Sequence, residues 1–191
     1  MVCSSKKVVG KVLKMKKLKG YESYPGWIVL LSNLITISVL AAGFYLLYLI
    51  NFWLAIAFAV YALYMESSVY REGCVNCYYY GKRCGFGRGL IAKMLLKKGN
   101  PKKFCEKSVS MKDFLPHMLV SIIPIIAGIY LLVTSFNWFI VVLTIWPVFV
   151  WFVVNPQLYG ELICPNCKQC SICCPVAEFF KKQAMKKKRK K

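Results

Sequence analysis

Two long blocks of this chain carry no charge at all, one from Tyr24 to Met65 and the other from Phe114 to Gly160. All 27 Lys and Arg and all 7 Asp and Glu lie outside them. A helix crossing a bilayer needs about 20 predominantly apolar residues, and each block is roughly twice that long. Backbone in lipid must satisfy its hydrogen bonds internally, which leaves the helix as the economical solution. The chain therefore reads as all-α and polytopic, with four transmembrane helices arranged as two hairpins. This excludes a soluble enzyme, a disordered tail protein and a secreted disulfide scaffold.

The first hairpin is assigned to residues 24–70, with its turn at Asn51 in Leu49-Ile50-Asn51-Phe52 and Gly43 as the alternative tip. Its first span starts near Trp27, and its second is short unless it continues past Glu66. The second hairpin is assigned to residues 114–158, with a turn at Ser135-Phe136-Asn137 between spans from about Leu115 to Thr134 and from Trp138 to Val154. Trp146 and Trp151 fall deep in the last span, while Trp27, Trp53 and Trp138 fall near its ends or those of its neighbours. Around the hairpins lie a basic segment (1–23), a Cys-rich loop (71–113), a second Cys-rich segment (159–180) and a basic tail (181–191).

Orientation follows from the basic residues. Seven precede Tyr24, eleven lie between Met65 and Phe114, nine follow Gly160, and neither turn has any. By the positive-inside rule both termini and the central loop are cytoplasmic in a multi-pass protein of the cell membrane. The first apolar stretch runs on into a second span and is too long for a signal sequence.

The two halves repeat an order of parts: an Asn-aromatic turn (Asn51-Phe52-Trp53; Asn137-Trp138-Phe139), then a Tyr-x-Glu, then C-x-N-C. The last element is Cys74-Val75-Asn76-Cys77 in one half and Cys164-Pro165-Asn166-Cys167 in the other. We read this as a duplication. It predicts that both cysteine clusters emerge side by side on the cytoplasmic side.

Nine of the ten cysteines gather in the polar segments: Cys74, Cys77, Cys84 and Cys105 in the central loop, then Cys164, Cys167, Cys170, Cys173 and Cys174. Packing cysteines would be scattered through the apolar blocks, and a reducing compartment disfavours structural disulfides. All nine are candidate metal ligands. Cys164 to Pro175 contains C-x2-C-x2-C-x3-C-P and resembles the cluster motif of bacterial-type ferredoxins. That resemblance implies a 4Fe-4S cluster on three of these thiolates, a partner site for the cysteine before proline, and Cys74, Cys77 and Cys84 as its source, although their C-x2-C-x6-C spacing departs from the ferredoxin pattern. The alternative cofactor is zinc, held by the knuckle pairs Cys74/Cys77 and Cys164/Cys167 in one tetrahedral site. Thiol-disulfide exchange at Cys164-x-x-Cys167 ranks third.

Other chemistry finds little support. The single histidine, His117, reads as an interfacial polar residue rather than a catalytic one. The blocks hold none of the ionisable groups of pumps and transporters, and no phosphate-binding or dinucleotide fingerprint occurs; Gly85-Phe86-Gly87-Arg88-Gly89 reads as a turn beside Cys84. The stretch Leu90 to Lys98 predicts a short amphipathic helix in the headgroup layer. With the two basic termini it would hold anionic lipid heads, a better match than nucleic acid, for which there is no binding module. The leading functional expectation is an Fe-S electron carrier between an acidic soluble donor and a membrane partner. The alternative is a non-redox membrane scaffold with structural zinc and a basic lipid- or partner-binding surface.

Overall fold

The computed structural model describes residues 20–106 and 111–174, with residues 111–114 and 171 described in their backbone alone. The basic segment before Gly20, residues 107–110 and the tail from residue 175 lie outside the described residues. Among the described residues regular structure is helical, apart from one isolated parallel bridge between Tyr21 and Cys167. The elements are α1 (Gly26–Ile50), α2 (Phe52–Glu72), α3 (Arg88–Leu95), α4 (Pro101–Glu106), α5 (Met111–Thr134), α6 (Trp138–Phe149) and α7 (Lys168–Ile172). Between α6 and α7 the chain stays helical through Val150–Ile163.

Four helical stretches are long and apolar enough to cross a membrane: Gly26–Ile50, Phe52–Asn76, Leu115–Thr134 and Trp138–Asn166. The two breaks between them fall where Asn was expected to place them, and by one mechanism. Asn51 Oδ1 accepts the N–H of Trp53 at 2.8 Å, and Asn137 Oδ1 accepts that of Phe139 at 2.9 Å. Each Asn thereby caps a helix whose first N–H groups have no partner in the preceding turn. The second span does continue past Glu66, and the last runs well beyond Val154.

The chain divides into two compact units. The apolar unit comprises Asn33–Ser68 and Met111–Val154. Its core is a set of close helix contacts, with Leu47, Ala55, Phe58 and Ala127 in one cluster and Leu46, Leu131 and Ile140 in another. Gly43 is no turn: it lies inside α1, where a Cβ would stand 2.6 Å from Pro124 Cγ and 3.1 Å from the Phe58 ring. Such small-residue contacts let helices approach without a hydrophobic drive from water. Polar atoms are paired within the unit, Trp146 Nε1–H donating to Ser38 Oγ at 3.0 Å and Trp151 Nε1–H to Ser121 Oγ at 2.9 Å. Large apolar side chains such as Val133, Val142 and Phe152 point outward, as lipid solvation permits.

The second half of the chain reaches its cysteines over a longer path. Twenty-two residues separate Asn51 from Cys74, and 26 separate Asn137 from Cys164. The extra length lies in a stretch wound as π-helix at Val150–Val154 and Leu158–Ile163. A π turn closes i→i−5 bonds and so takes up more residues per turn than the α-helix.

The cysteine unit comprises Met1–Ser32, Val69–Ser110 and Asn155–Lys191. Its residues 20–25 lace the two Cys-rich segments together. The Tyr21 N–H donates to Asn166 O at 2.9 Å and the Tyr24 N–H to Arg83 O at 2.8 Å, while Tyr24 OH reaches Ile163 O at 2.7 Å. Tyr79 OH donates to Tyr21 O at 2.7 Å and accepts the Lys168 N–H at 3.1 Å. The predicted Gly85–Gly89 turn is present: Gly87 has φ +70° and precedes α3, and a Cβ on Gly89 would collide with the carbonyls of Tyr79 and Lys82. On α3, Met94 and Leu95 are strongly exposed while Ala92 is buried.

Candidate metal centre

The two C-x-N-C segments fold alike. Cys74–Asn76 and Cys164–Asn166 are both single 3-10 turns at the end of a helix. In each the second Cys N–H returns to the first Cys carbonyl at 3.3 Å. In each the Asn side chain donates to the carbonyl four residues earlier, Asn76 to Glu72 at 3.1 Å and Asn166 to Leu162 at 3.0 Å. The second Cys carbonyl then accepts the N–H three residues on, from Tyr80 and from Cys170, at 3.1 Å in both cases. Asn serves because its short amide can bond local backbone where the helix ladder runs out.

This congruence extends to a third cysteine in each half, which the motifs alone left unpaired. Cys74 and Cys164, Cys77 and Cys167, and Cys84 and Cys174 are each 90 residues apart, so both halves carry C-x2-C-x6-C. The signal was available in the spacing, but the five cysteines crowded from Cys164 onward hid the register.

The structure brings thiols of both halves into electrostatic contact. Cys77 is pushed up to about 12 by burial, with Cys167, Cys84 and Cys74 as the neighbouring thiol charges. Cys167 is held below its ordinary value because the Cys170 thiol donates to it, against an opposing effect of burial. Cys170 is correspondingly pushed far up by its bonds to Cys167 and Cys174, and by burial. A thiolate is stabilised where donors reach it and penalised where it is merely desolvated. Cys167 is thus more thiolate-like than Cys77 or Cys170.

Two tyrosines that no sequence motif marks bound the group. Tyr24 and Tyr79 are almost fully buried, with ring centroids 5.5 Å apart. Burial raises both hydroxyls, Tyr79 to about 12, and the Cys167 charge adds to each. They stay neutral donors at physiological pH. Gln169 is also buried; its Oε1 accepts the Tyr78 N–H at 2.7 Å and its Nε2 donates to Cys173 O at 3.0 Å. Lys82 and Lys168 both pair with Glu22.

Three of the nine expected ligands stand elsewhere. Cys105 of α4 and Cys173 form a disulfide, with Cα atoms 5.4 Å apart. Cys164 is also disulfide-bonded. The expectation of uniformly reduced thiols is not met at these positions, because the fold sets Cys105 beside Cys173 across 68 residues of sequence. A disulfide sulfur offers no thiolate to a metal. Cys74, Cys77, Cys84, Cys167, Cys170 and Cys174 are outside disulfides. Among the described residues, no group of three or more His, Cys, Asp or Glu side chains is arranged to hold a metal ion.

The chain matches no protein-family model, no curated protein and no solved structure.

Proposed function

We propose that this protein is a membrane scaffold whose two halves are clamped by thiolate-bound zinc, with both termini and the cysteine unit on the cytoplasmic side of four spans arranged as two hairpins. The observation that carries this reading is the bond-for-bond match of the Cys74–Cys77 and Cys164–Cys167 knuckles. Once the Cys164 disulfide is reduced, two C-x2-C knuckles would offer the four sulfurs that a closed tetrahedral site needs, the usual form of structural zinc. Zinc bound there would neutralise thiolates that burial otherwise disfavours and would hold the two segments in register. In this reading Lys93, Lys97 and Lys98 engage anionic lipid headgroups while the exposed apolar residues of α3, such as Met94 and Leu95, enter the headgroup layer.

The Fe-S electron carrier is the second reading, and a different contact favours it. The Cys170 thiol is hydrogen-bonded to both Cys167 and Cys174, and the Cys167 charge is felt at Cys77. Against it, the ferredoxin-like pattern assigns the cysteine before proline to a different cluster from Cys170, whereas in this fold the two sulfurs are partners. The basic charge of the chain would suit an acidic donor.

Elemental analysis with a visible spectrum, on protein purified without oxygen, separates the two. Stoichiometric zinc without colour is expected. Near-equal iron and labile sulfide with a chromophore that bleaches on reduction would replace the scaffold by the electron carrier.

A further inference from the structure

We infer that the Cys105–Cys173 disulfide is a thiol-exchange site: a dithiol reductant attacks Cys105, and Cys173 is the sulfur that leaves. Neither sulfur belongs to the zinc clamp, so the inference goes beyond that reading. Only the source of the reductant rests on the orientation proposed above, because a disulfide in a reducing compartment is usually transient and serves exchange or redox sensing. The two sulfurs are placed unequally. Cys105 is exposed on α4, whereas Cys173 is half-buried where α7 ends. On α4 and the loop before it Lys97, Lys98, Lys102 and Lys103 are exposed, against one acid, Glu106. An attacking sulfur reacts as its thiolate, and this positive charge draws the anion toward Cys105.

Cys173 carries the donor that a leaving sulfur needs. Gln169 Nε2 donates to Cys173 Sγ at 3.2 Å and to its carbonyl at 3.0 Å, and the Cys173 N–H returns to Gln169 O at 2.9 Å. The Gln169 amide is buried and its direction is set: Oε1 accepts the Tyr78 N–H at 2.7 Å, which leaves the NH2 end for Cys173. A donor already on the sulfur stabilises the thiolate as it forms, and a better-stabilised thiolate leaves faster. Exchange here switches a covalent tie between the two Cys-rich segments. The loop before α4 is seated on the first knuckle, where the Gly99 N–H donates to Val75 O at 3.0 Å, and Cys173 follows Cys167 of the second knuckle by six residues.

The step balances with the dithiol as its only co-reactant. One thiolate of the dithiol attacks Cys105 Sγ; the Cys105–Cys173 bond breaks, its electron pair leaves with Cys173 Sγ, and a mixed disulfide joins the reductant to Cys105. The reductant's second thiolate then attacks its own first sulfur and expels Cys105 as a thiolate. The reductant departs as its disulfide, two electrons have passed to the protein, and the two protons the dithiol gave up end on Cys105 and Cys173.

The test uses the full-length protein purified in detergent without reductant, and glutathione as a monothiol probe that stops at the mixed disulfide. After a brief reaction, free thiols are blocked with N-ethylmaleimide and the adducts are located by peptide mass spectrometry. We expect glutathione on Cys105 and maleimide on Cys173. Glutathione on Cys173, or on both alike, would overturn the assignment of attacked and leaving sulfur. A disulfide that resists glutathione and dithiothreitol until the protein unfolds, or both cysteines found as thiols at the start, would overturn the exchange site itself. The Q169L variant adds a reading whose direction decides. Loss of the donor to the leaving sulfur should slow reduction by dithiothreitol about tenfold, whereas loss of a merely structural side chain would loosen the site and speed it. Unchanged or faster reduction would overturn the role of Gln169. The adduct mapping needs neither a variant nor a metal, and detergent exposes both sides of the protein. Failure of the zinc clamp or a reversed orientation therefore leaves its outcome unaltered.

Discussion

Asn76 and Asn166 make the same bond from equivalent places: each side-chain amide closes on the carbonyl four residues before it, at 3.1 and 3.0 Å, and so ends a long helix in a cysteine knuckle. A side-chain bond of this kind contributes about 1 kcal/mol net. N76A and N166A should each lower the thermal midpoint in detergent by a comparable amount, corresponding to roughly 0.5–1.5 kcal/mol. Unequal effects, one large and one absent, would show that the two knuckles are not energetically alike.

Tyr24 is buried and donates to Ile163 O, whereas Tyr78 meets Glu22 at the surface. Y24F leaves a buried carbonyl without its donor, at a cost of about 1–3 kcal/mol. Y78F, with its partner in water, should change stability by less than about 0.5 kcal/mol. Unfolding curves of the two variants in one detergent decide the ordering.

A Cβ at Gly43 meets the Pro124 ring and Phe58, while one at Gly26 has Arg83 Nη1 at 3.9 Å as its nearest atom. G43A should destabilise the protein by about 1–3 kcal/mol, as overpacking does in a close-packed interior. G26A should be neutral within about 0.5 kcal/mol. Equal stabilities for the two would show that α1 and α5 do not meet tightly at Gly43.

The Cys105–Cys173 disulfide should matter only when oxidised. Without reductant, C105S is expected to be less stable than the unmutated chain by about 2–4 kcal/mol. With a dithiol present the two should melt together. A difference that survives reduction would mean that Cys105 packs rather than cross-links.

Cys77 has a folded pKa of about 12, above its ordinary value of 9.0, because burial disfavours the thiolate. The folded state thus binds the proton more tightly than the unfolded one, a contribution fully present below pH 9 and lost as pH rises toward 12. Metal-free, reduced protein should lose stability across that window, and C77S should lose less. The same contrast appears in labelling: at neutral pH iodoacetamide should modify Cys167 before Cys77.

Much of the membrane architecture was legible because lipid imposes few solutions. Uncharged runs of that length are most simply satisfied as helices, and Asn in an otherwise apolar run offers a short side chain able to cap a new helix there. Gly43 misled as a possible turn because a glycine's role depends on what faces it; with Pro124 and Phe58 against it, the missing Cβ serves packing. The sequence left open whether the second span continues past Glu66; it does, because a helix can carry a charge once it has left the hydrocarbon.

By itself the sequence determined four apolar helices, the two Asn-capped breaks between them and the gathering of cysteines into polar segments, all consequences of local composition and spacing. Tertiary structure decided the long-range pairings: Cys105 with Cys173 in a disulfide, Tyr24 with the Ile163 carbonyl, and Tyr79 with Tyr21 and Lys168. Those pairings join residues far apart in the chain. They depend on where residues 20–25 and α4 lie against the knuckles, and no periodicity or motif encodes that placement.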